Sequence, residues 1–118
     1  MRPHRKLIVW QESISFIKEI YKLTVHLPQD EKFGLTSQIR RVSVSIALNI
    51  AEGAARQTKK EFSRFLYFSS GSSSEVDTLL EIIKELDFIK EENLKKYFDM
   101  NERISAMLNG LNKSLNVK

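Results

Sequence analysis

The sequence predicts an all-α fold, an antiparallel up-down-up-down four-helix bundle. Three observations predict it. Apolar residues recur at intervals of three and four in four successive segments. The links between them, Pro28–Thr36, Arg56–Gln57 and Asp87–Glu91, are short enough to force neighbouring helices to run antiparallel. No segment alternates apolar and polar residues as a half-buried strand does.

The first helix is expected from about Val9 to His26. Trp10, Ile14, Ile17, Tyr21 and Thr24 share a face, and Leu27-Pro28 ends the helix because proline disfavours helical geometry in its predecessor. The second is expected from Ser37 to Ala55 with Thr36 as N-cap. Leu35, Ile39, Val42, Ile46, Ile50 and Gly53 line its core face. No charge occurs from Val42 to Ala51, so that stretch should be enclosed by protein. The third opens with a capping box, Thr58-Lys59-Lys60-Glu61, and continues to about Leu86. Its central stripe is Phe62, Leu66, Ser69, Ser73, Val76, Leu80 and Ile83. The run Ser69-Ser70-Gly71-Ser72-Ser73-Ser74 resembles a flexible linker, but the stripe resumes in phase after it, so the helix should continue through it. The fourth is expected from Glu92 to Leu115, on Leu94, Tyr97, Phe98, Asn101, Ile104, Leu108, Leu111 and Leu115, with Glu91 and Glu92 suited to its positive end. Residues 1–8 read as a basic tail and residues 9–118 as one domain.

Composition narrows the function. The 118 residues contain no cysteine, which removes disulfides and thiolate metal sites and fits a cytoplasmic protein. Four apolar residues after the basic start are too few for an export signal, and the longest uncharged stretches are about half of what a bilayer needs. A soluble protein with no membrane association is expected. Neither His4 nor His26 has a glutamate three residues before it, so the di-iron pattern is missing, and no glycine-rich phosphate loop or nucleophile grouping is present. No metal, no cofactor and no enzymatic activity are expected. An acid–base pair of Glu52 and Glu75 is the one catalytic alternative.

The charge distribution points to a polyanion or to subunits meeting through opposite charges. Residues 1–60 carry 11 Lys/Arg against 5 Asp/Glu, a net of +6; residues 61–118 carry 8 against 10, a net of −2. Ordinary solubility charge is the competing explanation. Arg56, Lys59, Lys60 and Arg64 surround the turn between the second and third helices, and Arg40 and Arg41 lie about 22 Å away at the helical rise. Arg2, Arg5 and Lys6 add to the basic set. Such residues neutralise phosphates, with contacts mainly to the backbone of a nucleic acid. Phe62, Phe65 and Phe68 read as core.

A polar stripe on the second helix, Gln38, Arg41, Ser45, Asn49, Glu52 and Arg56, needs partners if buried. It is either an internal network, with Ser45, Asn49 and Glu52 meeting Ser69, Ser72 and Glu75, or a recognition surface. Two apolar flanks, Phe68, Leu79, Ile82 and Leu86 on the third helix and Phe16, Ile20, Leu23 and Leu27 on the first, exceed what a four-helix core buries. They imply self-association, a protein partner, or a fat monomeric core.

The run Gln38-Ile39-Arg40-Arg41, Val44-Ser45-Ile46, Asn49-Ile50-Ala51-Glu52-Gly53, Arg56, Lys60-Glu61-Phe62-Ser63-Arg64-Phe65-Leu66, Gly71-Ser72 and Glu75 resembles a bacterial family of four-helix bundles encoded by intervening sequences within 23S ribosomal RNA genes. Val9-Trp10-Gln11, Ile20-Tyr21 and Phe33-Gly34-Leu35 extend the resemblance over nearly the whole chain. It implies a left-handed bundle, a homopentameric ring, kinship with accessory proteins of retroelements, and no established enzymatic activity. In this family a proline often stands where this chain has Leu48, which implies a straighter second helix here.

Overall fold

Helix α1 (Ile8–Thr24) follows a 3-10 turn formed by Pro3–Lys6, in a computed structural model that describes residues 1–117. Helices α2 (Leu35–Ala54), α3 (Lys59–Glu85) and α4 (Glu91–Ser114) complete the chain, with one further turn at Gln29–Glu31. Each helix packs on its chain neighbours, and α4 closes the square against α1. The cross-helix pairs give the direction. Ser45 meets Ser72 while Ile46 meets Ser69, and Ser73 meets Asn101 while Ser63 meets Asn112. Numbers rise on one helix as they fall on the next, so the bundle is antiparallel throughout. Its extents are 43 × 22 × 19 Å. The domain boundary expected at Lys118 lies outside the described residues.

The core holds Phe16, Ile20, Ile39, Ile46, Ile50, Leu66, Val76, Leu80, Ile83, Leu94, Ile104 and Leu108, each almost wholly removed from solvent. Burying a side chain of this size stabilises the fold by about 1.5–3 kcal/mol. The α3 stripe is as expected from its spacing, and α3 runs unbroken through its serine stretch.

The first helix turns a different face inward. Its buried residues are Val9, Ser13, Phe16, Ile20, Leu23 and Thr24, continuing to Leu27, while Ile14 is 44% exposed and Tyr21 43% exposed. The two stripes are offset by one position, so both satisfy helical spacing. Ser13 can join the buried one because its hydroxyl donates to the Trp10 carbonyl (2.6 Å), leaving no orphan donor. Phe16, Ile20, Leu23 and Leu27 are therefore core rather than surplus.

The start of α2 also differs. Gly34, not Thr36, occupies the cap position, and the Leu35 N–H donates to Glu31 Oε1 (3.1 Å) from the preceding turn. At α3 the Thr58 hydroxyl accepts from the Glu61 N–H (3.1 Å), as the capping box requires, while the Glu61 carboxylate turns to Arg64 (3.6 Å). Helix α3 ends in a Schellman pair: the Phe88 N–H bonds the Ile83 carbonyl and the Asp87 N–H bonds that of Lys84. Asp87 sits there at φ 60°, the left-handed position usually filled by glycine.

Small residues set the α2–α3 seam. A Cβ on Gly53 would lie 2.8 Å from Phe65 Cβ and 3.2 Å from the Phe62 carbonyl, so only glycine allows this approach. Ser69, fully buried, donates to the Ile46 carbonyl (2.8 Å). Asn101 of α4 accepts from the Ser73 hydroxyl and donates to the Ser73 carbonyl, both at 2.9 Å. No buried side-chain polar atom lacks a partner among the described residues.

Within one chain α2 is enclosed on one side only. Ile46, Ala47 and Ile50 are buried, but Leu48 is 63% exposed on the outer face of the uncharged stretch. The helix is continuous through Leu48.

Candidate nucleic-acid interface

The antiparallel fold redistributes the charge of the sequence between the two ends of the bundle. Divide each helix at its midpoint. The end that holds the α2–α3 turn comprises residues 1–16, 45–72 and 103–117. It carries 9 Lys/Arg and 3 Asp/Glu, a net of +6. The opposite end comprises residues 17–44 and 73–102. It carries 9 Lys/Arg and 12 Asp/Glu, a net of −3. With Lys118, these sums recover the overall +4.

Four of the six cations expected to contact nucleic acid lie together at the basic end. Lys59 and Lys60 are the first two residues of α3, fully on the surface, and neither has a carboxylate partner among the described ion pairs. A lysine in the first turn opposes the helix macrodipole, at a cost of about 0.3–1 kcal/mol. These two side chains therefore do nothing for the helix and add to its positive end.

The two arginines beside them lie on aromatic rings. Arg56 stands 4.8 Å from the Phe65 centroid and Arg64 5.3 Å from that of Phe68, and the rings meet edge to face at 5.4 Å. Each arginine also reaches a carboxylate one turn back, Glu52 (3.3 Å) and Glu61 (3.6 Å). Both ion pairs are exposed, so solvent screens them. Phe68 is 45% exposed and Phe65 half-buried; neither is the sealed core residue that spacing alone suggests. The i to i+4 spacing of Arg64 and Phe68 was the available signal for this stacked arrangement.

The N-terminal residues join the same end. His4 packs edge-on against Trp10 (4.8 Å), Arg5 lies over that ring (5.5 Å), and the Arg5 carbonyl accepts from Gln11 Nε2 (2.8 Å). Residues 3–6 thus form a turn seated on α1 and α2 instead of a free tail. Arg2, Arg5 and Lys6 are exposed on it.

Arg40 and Arg41 lie in the opposite half of α2. Arg40 Nε donates to Thr24 Oγ1 (2.9 Å), and its guanidinium lies 4.3 Å from the Tyr21 centroid. It is a tie between α1 and α2. Arg41 is exposed and borders an open groove of about 600 Å³ with Tyr21, Phe33, Val44 and Leu48.

The polar stripe of α2 divides in the same way. Ser45 bonds Ser72 (2.7 Å), and Asn49 Nδ2 donates to the Ser45 carbonyl and hydroxyl. Glu52 and Glu75 stand outside this network. Both are exposed: Glu52 pairs with Arg56, and Glu75 borders a shallow groove with Gln38 and Thr78. Each sits where α2 or α3 faces solvent, so neither carboxylate needs a buried partner.

At the acidic end Lys22, Lys84, Lys95 and Lys96 are paired with carboxylates, while Lys18, Lys32, Arg41 and Lys90 have no such partner among the described ion pairs. Lys84 reaches Glu81 (3.0 Å), Glu91 (3.9 Å) and Glu85 (4.0 Å), and its hydrogen bond to Glu81 holds it above the usual lysine range. Lys96 of α4 donates to Glu19 of α1 (3.2 Å), which holds that carboxyl below its usual range. Lys95 pairs with Asp99 (2.7 Å).

Among the described residues no cluster of three or more histidines or carboxylates could hold a metal, and no helix is long and apolar enough to cross a membrane. Fold and surface together define a small four-helix bundle with one strongly basic end. A model of the 23S rRNA-intervening sequence protein family matches residues 5–110, and the chain belongs to that family. It is also similar to a crystal structure of a protein of unknown function from the S23 ribosomal protein family of Bacteroides thetaiotaomicron VPI-5482. The two are 25% identical with a TM-score of 0.83, over 90% of this chain and 96% of that one. No curated protein matches.

Proposed function

We propose that this protein is a non-enzymatic, self-associating bundle of the cytoplasm that binds RNA, either ribosomal RNA or an intervening-sequence fragment, through its basic end. One observation carries the reading: Lys59 and Lys60, free of carboxylates, stand on the positive end of α3 beside Arg56 and Arg64. Such a surface attracts phosphates and offers no helix-stabilising reason for its charges. The family name adds the class of polyanion.

Self-association is supported by apolar surface that a lone chain leaves open. Phe33 is 90% exposed, Leu48 lies across the same groove, and Phe68 in the first half of α3 and Ile82 and Leu86 at its far end are also exposed, while Leu79 between them is buried. The family resemblance supports a ring of five as the form of the assembly. A ring presents several basic ends at once and raises avidity without new contacts. The same apolar groove favours a second reading, a scaffold that recruits another polypeptide. Nuclease treatment separates the two, because only the RNA reading predicts loss of the complex.

The test is affinity for an RNA oligonucleotide as salt is varied. Neutralising about five phosphates of a single strand gives a slope near −3.5 in log affinity against log salt, roughly a hundredfold loss between 50 and 200 mM. A flat response, or no binding at low salt, contradicts the proposal.

A further inference from the structure

The cleft between the first half of α3 and the last turns of α4 lies at the basic end, and its lining is mostly uncharged, with Lys113 its one cation among the described residues. It encloses about 370 Å³, within the ~300–1,000 Å³ typical of small-molecule sites. Ser63 and Tyr67 line it from α3, Asn109, Asn112 and Lys113 from α4, and Asn116 from just past the end of α4. Spacings of three and four put each set on one helix face. Three carboxamides line it, with no carboxylate among the described lining residues.

We infer that this cleft takes one unpaired nucleobase of a bound RNA strand. The inference rests on the RNA reading above and gives it a substrate class: single-stranded RNA with a base preference. Each asparagine amide offers both donors and an acceptor, the complement of a base edge. The Ser63 hydroxyl donates to Asn112 Oδ1 (2.5 Å), which fixes that amide and leaves its Nδ2 donors without a partner among the described residues. The Asn109 and Asn116 side chains are likewise uncommitted among the described hydrogen bonds. Asn116, at φ 54°, occupies the left-handed position just past α4.

Electrostatics separates base from phosphate at this end. The cleft lies at the C-terminal end of α4, whose partial negative charge opposes a phosphate and is offset there by Lys113 alone among the described lining residues. Lys59 and Lys60 stand at the N-terminal end of α3, whose partial charge favours one. Tyr67, 67% exposed, offers a ring face at the wall of the cleft, one residue from Phe68 and three from Arg64. A strand with its backbone on the lysines would stack a base on Tyr67 and present its edge to the amides. Stacking of this kind is tolerant of sequence; the amides supply the selection.

The experiment measures the affinity of the full chain for fluorescent single-stranded oligonucleotides of A, C, G and U. One homopolymer should bind about tenfold more tightly than the weakest. Tyr67→Ala should lower affinity for all four by about tenfold. Asn109→Ala and Asn112→Ala should bring the ratio between homopolymers near one while keeping the salt dependence. Lys59→Ala with Lys60→Ala should weaken all four alike and leave the ratio intact. Helical content by circular dichroism checks that each variant folds, Asn112→Ala in particular because it also breaks the Ser63 bond. Binding with no base preference and no response to Tyr67→Ala overturns this inference alone. Failure of every oligonucleotide to bind overturns the RNA reading and this inference with it.

Discussion

The two ends of the bundle carry equal numbers of lysine and arginine, nine each among the described residues, and differ in what those residues do. At the acidic end Lys84 is met by three carboxylates, Lys96 ties α4 to α1, and Lys95 pairs along its own helix. Their charge is used within the fold. At the basic end Lys59 and Lys60 face solvent from a helix terminus that repels them, and Arg56 and Arg64 stand over Phe65 and Phe68 in exposed pairs with Glu52 and Glu61. The difference teaches that the number of cations says little about a binding surface. Whether the fold already neutralises them decides it.

Charge reversal should break the comparison with the largest effect. Lys59→Glu with Lys60→Glu is expected to lower RNA affinity by about a hundredfold and to flatten the salt slope. Lys90→Glu with Lys95→Glu, at the other end, should change it by less than about threefold. Equal losses from both pairs would mean that net charge alone matters. Filter binding at fixed salt measures this.

A second contrast concerns the packing beneath the basic end. Gly53→Ala forces a methyl group against Phe65 and the Phe62 carbonyl. Overpacking costs about 1–3 kcal/mol, and the helix-propensity gain of ~1 kcal/mol offsets part of it, for a net loss of about 1 kcal/mol. Gly71→Ala meets open space, so only the propensity gain of ~1 kcal/mol remains. Chemical denaturation should shift the two midpoints in opposite directions.

The smallest effect lies at the acidic end. Glu19, held below the usual carboxylate range by its Lys96 hydrogen bond, contributes stability that is present at neutral pH and lost as pH falls through its folded value. Glu19→Gln should lower the melting temperature by no more than a few degrees near pH 7, and the difference from wild type should vanish in acid. Thermal melts across that pH range check the sign.

Much of the fold was legible from spacing. The α3 stripe and the continuity of its serine run follow from phase alone, because a linker would not restore the stripe after Gly71. The inward face of α1 was not legible. Two stripes one position apart both satisfy the period, and the buried one contains Ser13, whose hydroxyl is satisfied by bonding back to the Trp10 carbonyl. For the site, the basic first half of the sequence was a partial guide. Five of its eleven cations, Lys18, Lys22, Lys32, Arg40 and Arg41, are sent by the fold to the acidic end, with Arg40 drawn into the α1–α2 seam by Thr24 and Tyr21. The amides of Asn109, Asn112 and Asn116 were invisible as a set until α4 was laid beside Ser63 and Tyr67. Distance in sequence hid them, since no local pattern links residues more than forty positions apart.

Backbone amide shifts of the full chain, recorded as a single-stranded RNA oligonucleotide is added, test the location most directly. Perturbations should cluster at residues 2–6, 53–68 and 109–117 and spare the stretch from Lys84 to Lys96. Changes centred on that acidic stretch, or none at saturating RNA, would contradict the assignment of the interface to the end built by the α2–α3 turn.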